Sequence, residues 1–245
     1  MVSKQKEINL KWYKRVALEL LRGLCFLVSI LPRWFRYYLL QPLVAGLLKL
    51  VGYRRAVITT NLQKSFPEKS ESEIRKIRCG YYNTLAEVIV DTISLVRVTE
   101  KRQSDFIVWE NSDEILQKMK GKDWIAMAAH YGCWEYFPMW CWQDKDSDFV
   151  SVYHPLHSEV FECFYRRLRS FSENVHQIPM GEAVRFYLKN RGTGRNIVLG
   201  LVSDQSPRLT ADSYWHRFLN QDTIFNEGAE LLAKKLRLPI YYAYI

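Results

Sequence analysis

DWIAMAAHYGCWEYF, residues 123–137, changes character halfway along. Its opening DWIAMAA (123–129) is a short apolar run of buried-strand type. Three more runs of this kind follow: DFVSVY (148–153), NIVLGLV (196–202) and LPIYYAYI (238–245). Helical patterns separate them, in NSDEILQKMK (111–120), HSEVFECFYRRLRSF (157–171), GEAVRFYLKN (181–190) and NEGAELLAKKL (226–236). Strand alternating with helix predicts an α/β domain with a mostly parallel central sheet flanked by helices. The last run stops at YYAYI with no polar cap, so a chain truncated at its C-terminus is expected.

The second half of the opening stretch carries the chemistry. Ligands of an α/β sheet gather beyond the carboxyl ends of its strands. His130 stands there, and Glu135 follows five residues later. On one continuous helix the two would point far apart, because five steps of about 100° separate them. They meet if His130 lies in a turn and Glu135 in the first helical turn, and Gly132 makes such a turn easy. The pair then reads as an imidazole base with a carboxylate that sets its tautomer. The alternative is a histidine that merely ends a strand. HxxxxE lacks the HExxH spacing of a zinc site. Cys133 reads more readily as a small buried residue than as a nucleophile. There is no GxSxG elbow, and GTG (192–194) lacks the lysine of a phosphate loop.

Two further clusters stand out. RRLRS (166–170) sets Arg166, Arg167 and Arg169 on an otherwise apolar helix. This is either a solvated face or a clamp for phosphate or a developing oxyanion. SDQSPR (203–208) follows the NIVLGLV strand directly. Asp204, Gln205 and Arg208 therefore share the edge of His130 if the strands are parallel.

Charge and apolarity meet at the other end of the chain. The 245 residues carry a net charge of +9, and 48% are hydrophobic. Residues 1–55 hold eleven Lys and Arg against Glu7 and Glu19, which is the whole excess. ALELLRGLCFLVSI (17–30) and YYLLQPLVAGLLKLVGY (37–53) flank the basic turn LPRWFR. Neither run reaches the roughly 20 clean apolar residues of a spanning helix. Trp12, Trp34, Tyr37 and Tyr38 sit beside the basic residues, as in a headgroup-level belt. An N-terminal membrane-anchoring helical segment over 1–54 is expected, interfacial or short, ahead of the domain at 55–245. A pair of core helices is the alternative. Between them and the sheet, residues 54–97 read as helix, broken once at SFPEKS, where Pro67 and the serines mark a turn and a new cap. Five scattered cysteines without a CxxC pair suit a reducing compartment. Nucleic-acid binding is disfavoured, because the charge lies in apolar helices rather than on a polar stripe.

NLQKSFPEKSESEI, HYGCWE, VYHPL, RRLRS and SDQSPR, in this order, resemble the bacterial late acyltransferases of lipid A biosynthesis, within the lysophospholipid acyltransferase superfamily. The resemblance runs from the N-terminal segment to the last residue. It implies an inner-membrane enzyme with its active site on the cytoplasmic face. Such an enzyme moves a fatty acyl chain from acyl carrier protein, sometimes acyl-CoA, to a hydroxyl of a lipid A precursor. The resemblance makes His130 the general base and Glu135 its partner, and matches Arg167 and Asp204 to further active-site positions. Arg166, Arg169, Gln205 and Arg208 are then expected to bind substrate. No metal or cofactor is implied, since a thioester is already activated. This chain has His154 where the family often has the arginine of YRP, and Cys133 where it often has the asparagine of GNWE. These departures bear on the acceptor more than on the reaction. Another membrane glycolipid or an amino-acid lipid is the alternative acceptor, and a catalytically decayed lipid-binding homologue the alternative role.

Overall fold

The computed structural model describes residues 10–244. Lys4, Lys6 and Glu7 of the basic N-terminal segment, and Ile245 at the end of the last apolar run, lie outside the described residues.

Five parallel strands form the central sheet: β1 (Trp124–Ala128), β2 (Ser147–Tyr153), β3 (Val175–Pro179), β4 (Asn196–Val202) and, after the separate hairpin β5 (Trp215–Phe218) and β6 (Gln221–Ile224), β7 (Ile240–Tyr242). Their order is β3-β2-β4-β1-β7. Helix α6 (Ser112–Met119) precedes β1, and α7 (Glu159–Arg169), α8 (Ala183–Asn190) and α9 (Gly228–Leu236) lie in the connections β2 to β3, β3 to β4 and β4 to β7, as the alternating pattern predicts. Each apolar run quoted above contains a strand. Ile125, Val150, Val198 and Leu199 are fully buried, because helices or loops cover both faces of a parallel sheet.

Two features depart from the sequence expectation. β3 has no apolar run, because His176 and Gln177 stand in its middle. Both are nonetheless buried. His176 Nε2 lies 3.1 Å from Asp148 Oδ2, and Gln177 Nε2 donates to the Arg166 carbonyl at 2.8 Å. These partners offset the cost of burying polar groups. The β5–β6 hairpin is the second; its four-residue strands carry no apolar alternation. Asn220 in its turn and Gln221 at the start of β6 donate to Ser65 at 3.0 and 3.3 Å.

The N-terminal third is helical. α1 (Trp12–Ile30) leads into α2 (Arg33–Phe35), a π turn over Arg36–Leu40, and α3 (Gln41–Leu50). α4 (Arg55–Ser65) and α5 (Glu71–Ser94) are separated at SFPEKS, where Ser70 and Glu73 close a capping box. α1 is two-faced. Leu18, Cys25 and Ser29 are buried in the body, while Trp12, Leu20 and Leu24 are 77%, 70% and 61% exposed. Two ion pairs tie it to α7: Lys14 to Glu159 at 2.8 Å and Arg167 to Glu19 at 2.8 Å. Among the described residues, no helix is long and apolar enough to cross a membrane.

The buried face of α1 is part of the protein core, so its side chains contribute to folding. Leu18→Ala should destabilise the protein by about 2–5 kcal/mol. Leu20→Ala, on the exposed face, should change stability by less than about 0.5 kcal/mol. Denaturant unfolding of both variants checks this; equal losses would mean that α1 does not dock as described.

Candidate active site

The sheet topology creates the site. From β1 the chain proceeds to β2, on one side; from β4 it proceeds to β7, on the other. The two connections diverge, so the switch point lies between β1 and β4, and a crevice opens beyond their carboxyl ends. Ala128 pairs with Val202 at those ends, which brings residues 130 and 204 side by side.

His130 and Asp204 meet there. The His130 backbone N–H donates to Asp204 Oδ2 at 2.9 Å, and His130 Nδ1 lies 2.6 Å from Asp204 Oδ1. An ionised carboxylate only accepts, so it holds the ring proton on Nδ1 and leaves Nε2 as an acceptor. The amide Nε2 of Gln205 is 3.5 Å from His130 Nε2, and the Trp134 ring stands edge-on at 4.6 Å. Gly132 takes φ 60°, the turn conformation expected of it, and a 3₁₀ helix over Trp134–Trp142 follows.

The expected partnership of His130 with Glu135 is not formed. Glu135 lies in the first turn of the 3₁₀ helix, as the spacing requires, but faces α7. Arg169 Nε and Nη2 donate to its two oxygens at 2.6 and 2.5 Å, a bidentate fork. Glu135 is 5% exposed. Such a carboxylate needs a fixed cation close by, and the guanidinium supplies it. Burial is the largest single influence and disfavours the charge on Arg169, but the hydrogen bonds and the charge of Glu135, with Tyr165 and Tyr153, together outweigh it and raise its pKa. The Tyr165 and Tyr153 rings lie 5.1 and 6.0 Å from the same guanidinium.

The three arginines of RRLRS separate by direction. Residues on a helix turn by about 100° per step, so neighbours cannot share a face. Arg166 and Arg169 line the cavity beside His130. Arg167 points the other way, to Glu19 on α1. It pairs with α1 and does not line the cavity. Arg208 lies in the exposed loop after Asp204 and does not line the cavity, whereas Gln205 does.

The cavity holds about 410 Å³ and runs between the sheet and the segments that carry Trp134 and Arg169. His130, Glu135, Arg166 and Arg169 contribute polar groups; Ala126, Ala128, Phe137 and Phe149 make the wall largely apolar. Sequence reasoning passed over Glu162, which is buried. It accepts from the Tyr153 hydroxyl at 2.6 Å and from the Leu156 backbone N–H at 2.9 Å, fixing the YHPL turn over the cavity. Cys133 is buried, and burial pushes its thiol pKa up, so it is no activated nucleophile. Among the described residues no group of three or more His, Cys, Asp or Glu could hold a metal ion.

A family model for bacterial lipid A biosynthesis acyltransferases matches residues 4–242. The chain belongs to this family. No individual curated protein matched the chain. The acyltransferase thus places its most polar cavity wall at the switch point of its sheet, next to a long apolar one.

The Glu135–Arg169 pair holds the 3₁₀ helix to α7 across this acyltransferase's cavity. Arg169→Met should cost about 3–5 kcal/mol, since it strands a buried carboxylate. Removing both charges, Glu135→Met with Arg169→Met, should recover part of that loss, with a coupling of about 1–3 kcal/mol. Additive losses in a double-mutant cycle would contradict the pairing.

Proposed function

We propose that this acyltransferase moves a fatty acyl chain from acyl carrier protein to a hydroxyl of a lipid A precursor, at the cytoplasmic face of the bacterial inner membrane. The observation that carries the mechanism is the 2.6 Å contact between His130 Nδ1 and Asp204 Oδ1. His130 Nε2 takes the proton of the acceptor hydroxyl as its oxygen attacks the thioester carbonyl carbon. The C–O bond forms, the C–S bond breaks, and the proton passes from Nε2 to the departing thiolate. Asp204 orients the ring and stabilises the imidazolium between these steps. Glu135 acts through Arg169, as a positioning group, rather than on the imidazole. Arg166 and Arg169 offer cationic groups to the negative charge of the tetrahedral intermediate or of an acceptor phosphate.

Two observations support a seat on an anionic membrane. The apolar stripe Trp12, Val16, Leu20, Leu24 and Leu27 of α1 is exposed, at near four-residue spacing, and Leu43, Leu47 and Leu50 of α3 are exposed as well. Exposed Lys11, Arg33, Lys49, Arg54 and Arg55 accompany them. An amphipathic segment of this composition lies in the interface rather than across it. The same cations suit an acidic carrier protein. Arg36 is the exception: it turns inward and donates to Ser94.

The full-length protein in membranes, given labelled acyl carrier protein and a lipid A precursor, tests the reading. His130→Ala and Asp204→Asn should each lower transfer by at least about a hundredfold at matched protein levels. Glu135→Gln, by loosening Arg169, should lower it less than His130→Ala. Transfer that survives His130→Ala would sink the base mechanism. Transfer from acyl-CoA alone, or only to another glycolipid or an amino-acid lipid, would overturn the donor or the acceptor and leave the chemistry standing.

A further inference from the structure

The register of the sheet shows how the apolar end of the cavity is built. Side chains on alternate residues share one face. Ser151, Gly200 and Ala126 pair in one row across β2, β4 and β1. All three line the cavity. This row holds only small side chains, so it forms a shallow trough across the sheet. Two residues toward the amino ends, Phe149, Val198 and Trp124 form the next row on that face. Phe149 lines the cavity, whereas Val198 and Trp124 do not. Trp124 is closed off by Trp140, whose ring stands 5.9 Å away.

Phe149 therefore ends the cavity, and Gly200 sets where the ring lies. A Cβ built on Gly200 would fall 2.6 and 2.8 Å from two atoms of the Phe149 ring. The ring thus leans from its own row over the glycine. Only a glycine leaves room for it there. The Ser151 hydroxyl in this row is buried and has no hydrogen-bond partner among the described residues.

We infer that the Ser151–Gly200–Ala126 trough receives the far end of the acyl chain, and that the Phe149 ring seated on Gly200 sets the chain length the enzyme selects. This rests on the acyl-transfer reading above. Phe149→Leu opens the floor toward Val198 and shifts selection to longer chains. Gly200→Ala lifts the ring into the trough and shifts selection to shorter ones. The two changes act in opposite directions, which general loosening of the fold would not produce.

The test uses the full chain in lipid nanodiscs and a homologous series of straight-chain saturated acyl donors on acyl carrier protein. The kcat/KM ratio between a longer donor and the parent's best donor should rise at least about tenfold in Phe149→Leu. It should fall by a similar factor in Gly200→Ala. Both variants are first checked for parental near-ultraviolet circular dichroism. A parent that transfers, with folded variants that keep its length profile, overturns the inference and spares the transfer reading. Should the parent transfer from no donor, that reading fails. The length profile is then measured as competition of the matching free fatty acids against a fluorescent fatty acid. Opposite shifts in the two variants still support the trough, and unchanged profiles overturn it.

Discussion

One carboxylate holds the site together. Asp204 grips both the main chain and the imidazole of His130, so the ends of two adjacent strands are joined by two hydrogen bonds from one residue to one residue. This contact depends on Ala128 standing beside Val202, and hence on β1 and β4 being neighbours. A shift of either strand by one residue would turn every side chain on it to the other face. The buried row Ile125, Leu199 and Val150 opposes such a shift, because these side chains fill the other face of the sheet. Core packing and catalytic geometry are in this sense one constraint.

The second charged contact does a different job. Glu135 and Arg169 meet away from bulk solvent, and neither touches the imidazole. Their fork joins the 3₁₀ helix that follows β1 to the last helical turn of α7. Tyr165 and Tyr153 cover the guanidinium, and Glu162 holds the YHPL turn through Tyr153. The walls of the cavity are thus set by a connected group of polar contacts, while its floor is set by side-chain size on the sheet. The polar groups and the small side chains of the sheet thus occupy different parts of one pocket.

Much of this was legible in the chain. Strand-type runs and helical spacing foretold four strands of the parallel sheet, because buried strands read as unbroken apolar stretches. β3 escaped, because His176 and Gln177 hide its burial behind polar groups whose partners lie elsewhere in the sequence. The order of five motif blocks pointed to the family, and the strand ends pointed to His130, Asp204 and Gln205. Spacing and the resemblance pointed to Glu135 as the partner of His130, whereas the hydrogen bonds of Glu135 go to Arg169. Five residues separate His130 from Glu135 and seventy-four from Asp204, yet the distant carboxylate is the one in contact. Local spacing cannot rank a neighbour in sequence against a neighbour in a sheet.

Arg167 carries the same lesson. Composition marks RRLRS as a cluster, but helix rotation sends its arginines to different surroundings, and only the position of α1 shows that Glu19 claims one of them. The sequence by itself determined the α/β class, the family, the basic and apolar N-terminal segment and the residues able to move a proton. Those follow from residue type and short-range period. The tertiary structure decided which carboxylate contacts the histidine, which arginines face the cavity and which side chains form its floor. Those depend on strand order and register, which bring residues far apart in the chain within a hydrogen bond's reach of one another.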